Sequence, residues 1–455
     1  MTTRSTDATR IPRLPAGFTW GASTAAYQIE GAADEDGKGA SVWDTFVRRP
    51  GAVRDGHTGD IACDHHRRFD EDVTLMRQLG LDAYRFSVSW PRVLPTGADR
   101  VEPRGLDFYD RLVDALLDAG IEPTPTLFHW DLPQALEDKG GWLNRETAHR
   151  FAAYAAVVAE RLGDRVKRWI TLNEPFIHMS FGYGFGVHAP GHALMLDALP
   201  VAHHQLLGHG LATAALRATV PDGQVLIANN CTPVRMLPDA RRDKDVAAAH
   251  AYDILHNRLF NDPVLTGSYP DLSAYGMADG QWGGVVRDGD LATISAPLDG
   301  LGVNYYNPTW VTAPADPAAA LPFDLAEPAE PYERTAFDWP VVPDGLTELL
   351  TGLKDRYGDG LPPVWITENG CSQPAGLHDP ARIEYLAGHI TAVARAVSLG
   401  VDVRGYFTWS LLDNFEWAEG YHQRFGLVEV DFDTCRRTPR ASFEWYRDLI
   451  ASQRS

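Results

Sequence analysis

The strongest constraint on the fold is the regular alternation of strand-like and helix-like segments along the 455 residues. Short runs rich in β-branched and aromatic residues are each followed by a longer segment with helical periodicity, for example the helix predicted at residues 245–260. The predicted strands are residues 18–24, 83–88, 122–128, 166–172, 225–229, 298–304, 364–367 and 403–408. Eight strands that alternate with helices favour a closed (β/α)8 TIM barrel over a doubly wound sheet.

The length is compatible with one domain, because α/β barrels run from about 200 to over 400 residues as a single unit. We therefore predict one barrel domain over residues 14–455, preceded by a disordered polar tail at residues 1–13. Residues 312–344 are rich in Pro, Ala and acidic side chains. Since strands continue after this segment in the same pattern, we interpret it as a long loop over the barrel mouth and not as an interdomain linker.

The composition argues against several classes of partner. Acidic side chains number 61 against 41 basic ones, for a formal charge of -20, and such a surface repels nucleic acid and anionic membranes. The chain has no run of 18 apolar residues and no apolar signal-peptide core, so we predict a cytoplasmic protein without a membrane span. The four scattered cysteines fit a reducing compartment. His65–His66 and His203–His204 lack further ligands at metal-binding spacing, so we predict no metal or cofactor.

Two glutamates stand where predicted strands end. Glu174 lies in Ile-Thr-Leu-Asn-Glu-Pro and Glu368 in Val-Trp-Ile-Thr-Glu-Asn-Gly. Pro175 biases Glu174 towards extended backbone, and Asn369-Gly370 is a turn dipeptide directly after Glu368. Either glutamate alone is more often a helix cap or a salt-bridge partner. Two carboxylates on different strands of one barrel, however, are what the hydrolysis of a glycosidic bond requires.

Further polar and aromatic residues cluster where the predicted strands stop. In a barrel these positions converge on one rim, where barrel enzymes carry out their chemistry. Amide and carboxylate groups can pair with the hydroxyls of a sugar, and indole rings can stack on its C–H face. The residues of this predicted sugar site are Gln28, Arg85, His129, Trp130, Asn173, Asn229, Asn230, Asn304, Tyr306, Trp409, Glu416 and Trp417.

Seven segments of the chain carry a resemblance to a known family. They are residues 18–31, 84–90, 129–133, 171–175, 304–306, 366–370 and 414–417. Together and in this order they resemble the glycoside hydrolase family 1 β-glucosidases over about residues 18–450. The resemblance implies an exo-acting enzyme that retains anomeric configuration and forms a covalent glycosyl-enzyme intermediate. Its partners would be small-molecule β-glycosides such as cellobiose and aryl or alkyl glucosides, with no cofactor.

The resemblance also implies roles for individual residues. Glu174 would be the acid/base and Glu368 the nucleophile, with carboxyl groups about 5–5.5 Å apart. Arg85 and Tyr306 would form hydrogen bonds with the nucleophile. Asn173 would bind the 2-hydroxyl of the sugar. The other implied contacts are Gln28, His129, Glu416 and Trp417 to the remaining hydroxyls, Trp409 beneath the ring, Trp339 and His188 on the leaving-group side, and Trp130, Asn304 and Phe425 elsewhere in the substrate site.

The sequence is compatible with other functions on the same fold. A 6-phospho-β-glycosidase would resemble the chain in fold but replace the region of Glu416 and Trp417 with residues for phosphate. A catalytically silent sugar-binding barrel would lose one of the two carboxylates, and both are present. Transglycosylation is a compatible side activity. The sequence does not distinguish glucose from galactose or fucose, and it leaves the leaving group and the oligomeric state open.

Overall fold

The computed structural model describes residues 11–98, 100–238, 243–276, 284–316 and 318–454. Most of the predicted tail, residues 1–10, lies outside this range. Ile11 is buried and belongs to the main hydrophobic core. The side-chain amide of Gln453, in the last helix, donates hydrogen bonds to the carbonyls of Ile11 and Pro12. Ile11, which the sequence assigned to the tail, therefore belongs to the packed part of the chain.

Eight parallel strands close into a barrel, which confirms the predicted TIM-barrel fold. Each strand pairs with its neighbours in chain order, and the last strand pairs with the first. The strands are β1 (Thr19–Ser23), β2 (Ala83–Ser87), β3 (Glu122–Phe128), β4 (Arg168–Asn173), β5 (Gln224–Asn230), β6 (Gly300–Asn304), β7 (Val364–Asn369) and β8 (Val403–Trp409). Because all strands run the same way, their C-terminal ends meet at one rim.

The barrel interior is filled by side chains, as a barrel of eight strands requires. A separate buried cluster is drawn from strands around the barrel: Ala83, Ile170, Leu226, Ala228, Trp365 and Phe407. The two aromatic rings need room. A Cβ at Gly21 would overlap the Phe407 ring, and a Cβ at Gly405 would overlap the Trp365 ring. Glycine at these two positions therefore lets Phe407 and Trp365 occupy the interior.

Amphipathic helices surround the barrel. Pro103–Asp118, for example, buries Leu112, Val113 and Leu116, which recur at helical spacing on one face. The long helices are α1 (His65–Leu79), α2 (Pro103–Asp118), α3 (Glu146–Leu162), α4 (Leu199–Thr219), α5 (Asp243–Asp253), α6 (Leu259–Thr266), α7 (Pro343–Tyr357), α8 (Pro380–Ser398) and α9 (Ala441–Arg454). No helix among the described residues is long and apolar enough to cross a membrane.

Two local predictions differ from the structure. The segment at residues 245–260, predicted as one helix, contains the π-helix Ile254–Arg258 between α5 and α6. Such π-helical turns are frequent at functional sites. Strand β7 continues to Asn369, so Glu368 lies within the strand instead of after it. The pairing of β7 with β6 shifts register between Ile366 and Glu368, so the strand is irregular at the glutamate.

Smaller elements lie outside the eight barrel strands. The predicted loop at residues 312–344 contributes the strand Asp324–Ala326, which pairs with Thr309–Thr312. Thr309–Thr312 also pairs with Val234–Met236, and Val428–Asp431 pairs with Arg436–Pro439. The π-helix His178–Gly184 follows β4 after one short turn of helix. The short helices are Ala26–Ile29, Val42–Phe46, Trp90–Val93, Gln134–Glu137, Pro175–Ile177 and Asp290–Ile294.

Candidate active site

A cavity of about 630 Å³ opens at the C-terminal rim of the barrel. Its volume lies within the range of small-molecule sites. Glu174, after β4, and Glu368, in β7, both line it. The structure therefore places the two glutamates at one cleft, as the sequence predicted.

A chain of hydrogen bonds links the two glutamates beneath the cavity wall. Arg85 donates to Glu368 Oε1 over 2.6 Å and to Asn173 Oδ1 over 2.6 Å. The amide of Asn304 donates to the same Asn173 oxygen over 3.0 Å and to Glu174 Oε1 over 2.8 Å. Tyr306 donates its hydroxyl proton to Glu368 Oε2 over 2.8 Å. Both carboxyl groups are thus held in place, and Glu368 also has a cationic partner.

The backbone at Glu174 corrects a prediction. Pro175 was expected to keep this residue extended, but Glu174 has φ 44° and ψ 60°, in the left-handed region. Its backbone N–H donates to the carbonyl of Ala228 in β5 over 2.8 Å. This contact with the neighbouring strand outweighs the local preference set by the proline. Trp130 and Trp417, which also line the cavity, share a positive φ. Strained backbone of this kind clusters at functional sites.

The surroundings of the two glutamates separate their proton affinities. Burial and the neighbouring Glu368 carboxylate raise the pKa of Glu174 to about 8. Burial also raises the pKa of Glu368, but Arg85 and the Tyr306 hydroxyl oppose this rise. One proton shared by the pair is therefore held by Glu174. A buried acid beside an ionised carboxylate is the arrangement that general acid catalysis and nucleophilic attack need.

The predicted site residues fall into two layers. Those whose side chains line the cavity are His129, Trp130, Glu174, Tyr306, Trp339, Glu368, Trp409, Glu416, Trp417 and Phe425, together with His188. Gln28, Arg85, Asn173 and Asn304 are buried directly behind this wall. Gln28 donates to Glu416 over 3.4 Å, and Asn173 donates to His129 Nε2 over 3.0 Å. The structure thus places the second group where it orients the first.

The sequence comparison agrees with this geometry. The family model for glycosyl hydrolase family 1 matches residues 11–455. The chain belongs to glycosyl hydrolase family 1. The predicted resemblance is therefore confirmed over nearly the whole chain.

Individual relatives span the same length. The thermostable β-glucosidase B of Thermobispora bispora is 49% identical over 98% of this chain and 92% of its own. A bifunctional β-D-glucosidase/β-D-fucosidase of Bifidobacterium breve is 44% identical over 96% and 98%. The crystal structure of a psychrophilic β-glucosidase from Micrococcus antarcticus superposes with a TM-score of 0.93 at 47% identity, covering 98% of this chain and 99% of that chain.

One contributor to this family 1 site was missed in the sequence, and another was placed at the rim without a role. Phe337 lines the cavity and stacks on Trp339 with ring centroids 4.4 Å apart. Asn230, at the end of β5, donates to Glu174 Oε1 over 3.0 Å. The sequence placed Asn230 at the rim by its strand-end position, but assigned it no contact with Glu174. Phe337 lies in the loop at residues 312–344, where no periodic pattern identifies a contact.

The paired histidines have structural partners. His65 Nδ1 contacts Asp72 at 2.7 Å, and His203 contacts both Tyr269 and Asp290 at 2.9 Å. Among the described residues, one group has ligand atoms close enough to hold a metal: Asp55, His57 and His422. His57 Nδ1 already accepts a hydrogen bond from the backbone N–H of Tyr421. Neither glutamate of the family 1 site belongs to this group, so we assign it no part in the chemistry.

Replacing Tyr306 by phenylalanine is expected to shift the acid limb of the kcat/KM profile to higher pH. The hydroxyl stabilises the ionised form of Glu368. Its loss therefore raises the pKa of Glu368, and a higher pH is needed to ionise the nucleophile. One lost hydrogen bond to a charged group corresponds to roughly a tenfold loss of kcat/KM at neutral pH. Rates with 4-nitrophenyl β-glucoside between pH 4 and 9 measure both effects. An acid limb that stays in place or moves to lower pH would contradict the contact.

Proposed function

We propose that the chain is a retaining, exo-acting β-glucosidase that releases terminal non-reducing β-D-glucosyl residues from small glycosides. One observation carries this proposal: two carboxyl groups face a single cavity, and their surroundings give Glu174 the proton and Glu368 the charge. This is the division of labour that hydrolysis with retention requires. The β-glucosidase names of the relatives support the same activity.

In the first step, Glu368 attacks the anomeric carbon with an electron pair of its carboxylate. The bond from this carbon to the leaving oxygen breaks, and Glu174 transfers its proton to that oxygen. Arg85 and Tyr306 hold the Glu368 oxygens in position for the attack. The result is a glucosyl ester on Glu368 and a free aglycone.

In the second step, the charge of Glu368 is absent because the carboxylate has become an ester. The pKa of Glu174 falls once this neighbouring negative charge is gone, so Glu174 is ionised. It takes a proton from water, whose oxygen attacks the anomeric carbon and displaces Glu368. Two inversions leave the product in the β configuration. The proposed chemistry uses no metal or organic cofactor.

The substrate contacts are part of the proposal. His129, Glu416 and Trp417 would bind sugar hydroxyls, Trp409 would stack on the ring, and Trp339 would contact the leaving group. We expect aryl β-glucosides and cellobiose to be hydrolysed, and β-fucosides to follow, since the Bifidobacterium breve relative is named for both activities. A panel of 4-nitrophenyl glycosides with cellobiose tests this. Absence of turnover for every β-glucoside would reject the proposal.

A 6-phosphorylated substrate is expected to be hydrolysed at least about 100-fold less efficiently, since the phosphate adds negative charge to an acidic site. Among the described residues that line the cavity, Arg334 is the one arginine or lysine, and it is bound to Glu327 and Asp338. The measurement is kcat/KM for 4-nitrophenyl β-glucoside and its 6-phosphate. Equal values would favour the phosphoglycosidase alternative.

The cellular setting is also proposed. We infer a reducing compartment, in keeping with the expected cytoplasmic location, because the four cysteines are buried free thiols. Cellobiose hydrolysis would give the enzyme a part in cellulose breakdown. The test is to measure the release of glucose from cellobiose in cell extracts and in the culture medium. Activity in the extracts is the expected result.

A further inference from the structure

A row of hydrogen-bonded side chains leads away from Glu174 on the side opposite Arg85. The amide nitrogen of Asn230 donates to Glu174 Oε1 over 3.0 Å, and the amide oxygen of Asn230 lies 2.7 Å from Nε2 of His256. Nδ1 of His256 lies 3.0 Å from the hydroxyl of Tyr252. The His256 ring also stacks on Phe176 with centroids 3.9 Å apart. His256 is thus held on three sides by residues close to the acid/base.

The hydrogen-bond directions in this row follow from the charge of His256. Burial lowers the pKa of His256 to about 3, so the imidazole is neutral in the working range and carries one N–H. The Tyr252 hydroxyl can donate to Nδ1, which leaves the proton on Nε2. Nε2–H must then donate to an acceptor, and the amide oxygen of Asn230 is the atom in reach. This assignment leaves the NH2 group of Asn230 facing Glu174.

We propose that His256 is a positioning residue that fixes the side-chain amide of Asn230, so that its N–H and not its carbonyl faces Glu174. This inference rests on the proposed function, because it concerns the acid/base of that reaction. An amide without that partner can turn by about 180° and present its oxygen to Glu174, because the two ends of the amide have nearly the same shape. The oxygen accepts a hydrogen bond from the protonated acid but repels the carboxylate, so the rotation changes which form of Glu174 is favoured.

The fixed N–H serves the second step of the reaction. It stabilises the ionised Glu174 that must accept a proton from water. The other titratable groups around Glu174 are Glu368, Glu416, Tyr306, Cys231 and Arg85. Of these, Arg85 is the cation that favours ionised Glu174, and the N–H of Asn230 acts in the same direction. Without His256, the pKa of Glu174 should rise further, and the general base should become less available. The first step, which uses protonated Glu174, should be affected less.

The test compares His256→Leu with His256→Gln, whose side-chain NH2 can still donate to Asn230. With 2,4-dinitrophenyl β-glucoside the leaving group needs no proton, so the second step limits kcat. His256→Leu is expected to lower this kcat about tenfold, change kcat/KM less than threefold, and strengthen the initial burst of dinitrophenol. With cellobiose, the basic limb of kcat/KM should move to higher pH. His256→Gln should restore most of the kcat and the pH profile.

Two further variants make the result decisive. Tyr252→Phe keeps the shape of the side chain but removes the O–H donor to His256, and it should shift the basic limb in the same direction by a smaller amount. His204→Leu is the matched control, because His204 is as buried as His256, each being 6% exposed, and binds the carbonyl of Trp142. It should leave both readouts at wild-type values.

Equal losses in kcat and kcat/KM for His256→Leu, or a basic limb that stays in place in both His256→Leu and Tyr252→Phe, would overturn the inference. If His256→Leu does not fold, an unshifted limb in Tyr252→Phe alone overturns it. Failure of the proposed function has a different signature, since the wild-type enzyme would then release no dinitrophenol at all.

Discussion

Replacing Glu368 by alanine is expected to reduce kcat for β-glucosides by roughly 10⁵-fold, because the covalent intermediate can no longer form. The carboxylate is held by Arg85 and Tyr306 at the cavity wall. Among the described residues that line this cavity, no other carboxylate accepts hydrogen bonds from both an arginine and a tyrosine hydroxyl. Steady-state rates with 2,4-dinitrophenyl β-glucoside measure the loss. Glu160→Ala, which removes an exposed glutamate of α3, is the control and should retain full activity.

Azide distinguishes a missing nucleophile from a damaged site. In Glu368→Ala, azide can enter the space of the lost carboxylate and attack the anomeric carbon from the same side. One displacement inverts the configuration, so the product should be α-glucosyl azide, with dinitrophenolate as the leaving group. Rescue that yields the β anomer would assign the nucleophile to another residue.

The same variant should also be less stable. Arg85 is fully buried, and its ion pair with Glu368 joins side chains that are 1% and 4% exposed. Removing one partner of a buried pair costs about 3–5 kcal/mol, because the remaining charge is left without compensation. Glu368→Gln keeps an acceptor oxygen near Arg85 and should recover part of this loss. Thermal unfolding of both variants checks the order, and azide binding should raise the Tm of the alanine variant.

The fold could be predicted because its signals are local and repeated. Each barrel strand is a short run of apolar residues, and each following helix has its own periodicity, so errors at the ends of elements did not change the count of eight. The π-helix Ile254–Arg258 was not predicted. Its sequence continues the helical pattern of α5, and the extra residue in its turn is set by packing, which a periodic pattern does not record.

The site could be predicted to the extent that it consists of strand-end residues. Glu174, Glu368, Tyr306 and Trp409 follow or end strands, and a closed parallel barrel brings such positions together. His256 could not be found in this way, because it lies on a helical segment and reaches Glu174 only through Asn230. The left-handed backbone of Glu174 could not be predicted either, since it depends on a hydrogen bond to Ala228 in another strand.

Replacing Glu174 by alanine is expected to reduce activity in a way that depends on the leaving group. A positioned general acid contributes about 10²–10⁴-fold. Cellobiose, whose leaving hydroxyl needs a proton, should therefore lose kcat/KM by roughly 10³-fold. For 2,4-dinitrophenyl β-glucoside, kcat/KM should fall less than about tenfold, since its leaving group departs as an anion. Equal losses for the two substrates would remove the acid role from Glu174.

The pH dependence of activity is an independent test of the acid role of Glu174. Catalysis by the wild-type enzyme needs Glu174 protonated, and burial together with Glu368 raises the pKa of Glu174 to about 8. Activity on cellobiose should therefore be maintained as pH rises through neutrality and fall near that value. In Glu174→Ala this basic limb should disappear, while the acid limb, which reports the ionisation of Glu368, should remain. Added azide should form β-glucosyl azide in this variant, because attack on the Glu368 ester is the second of two inversions.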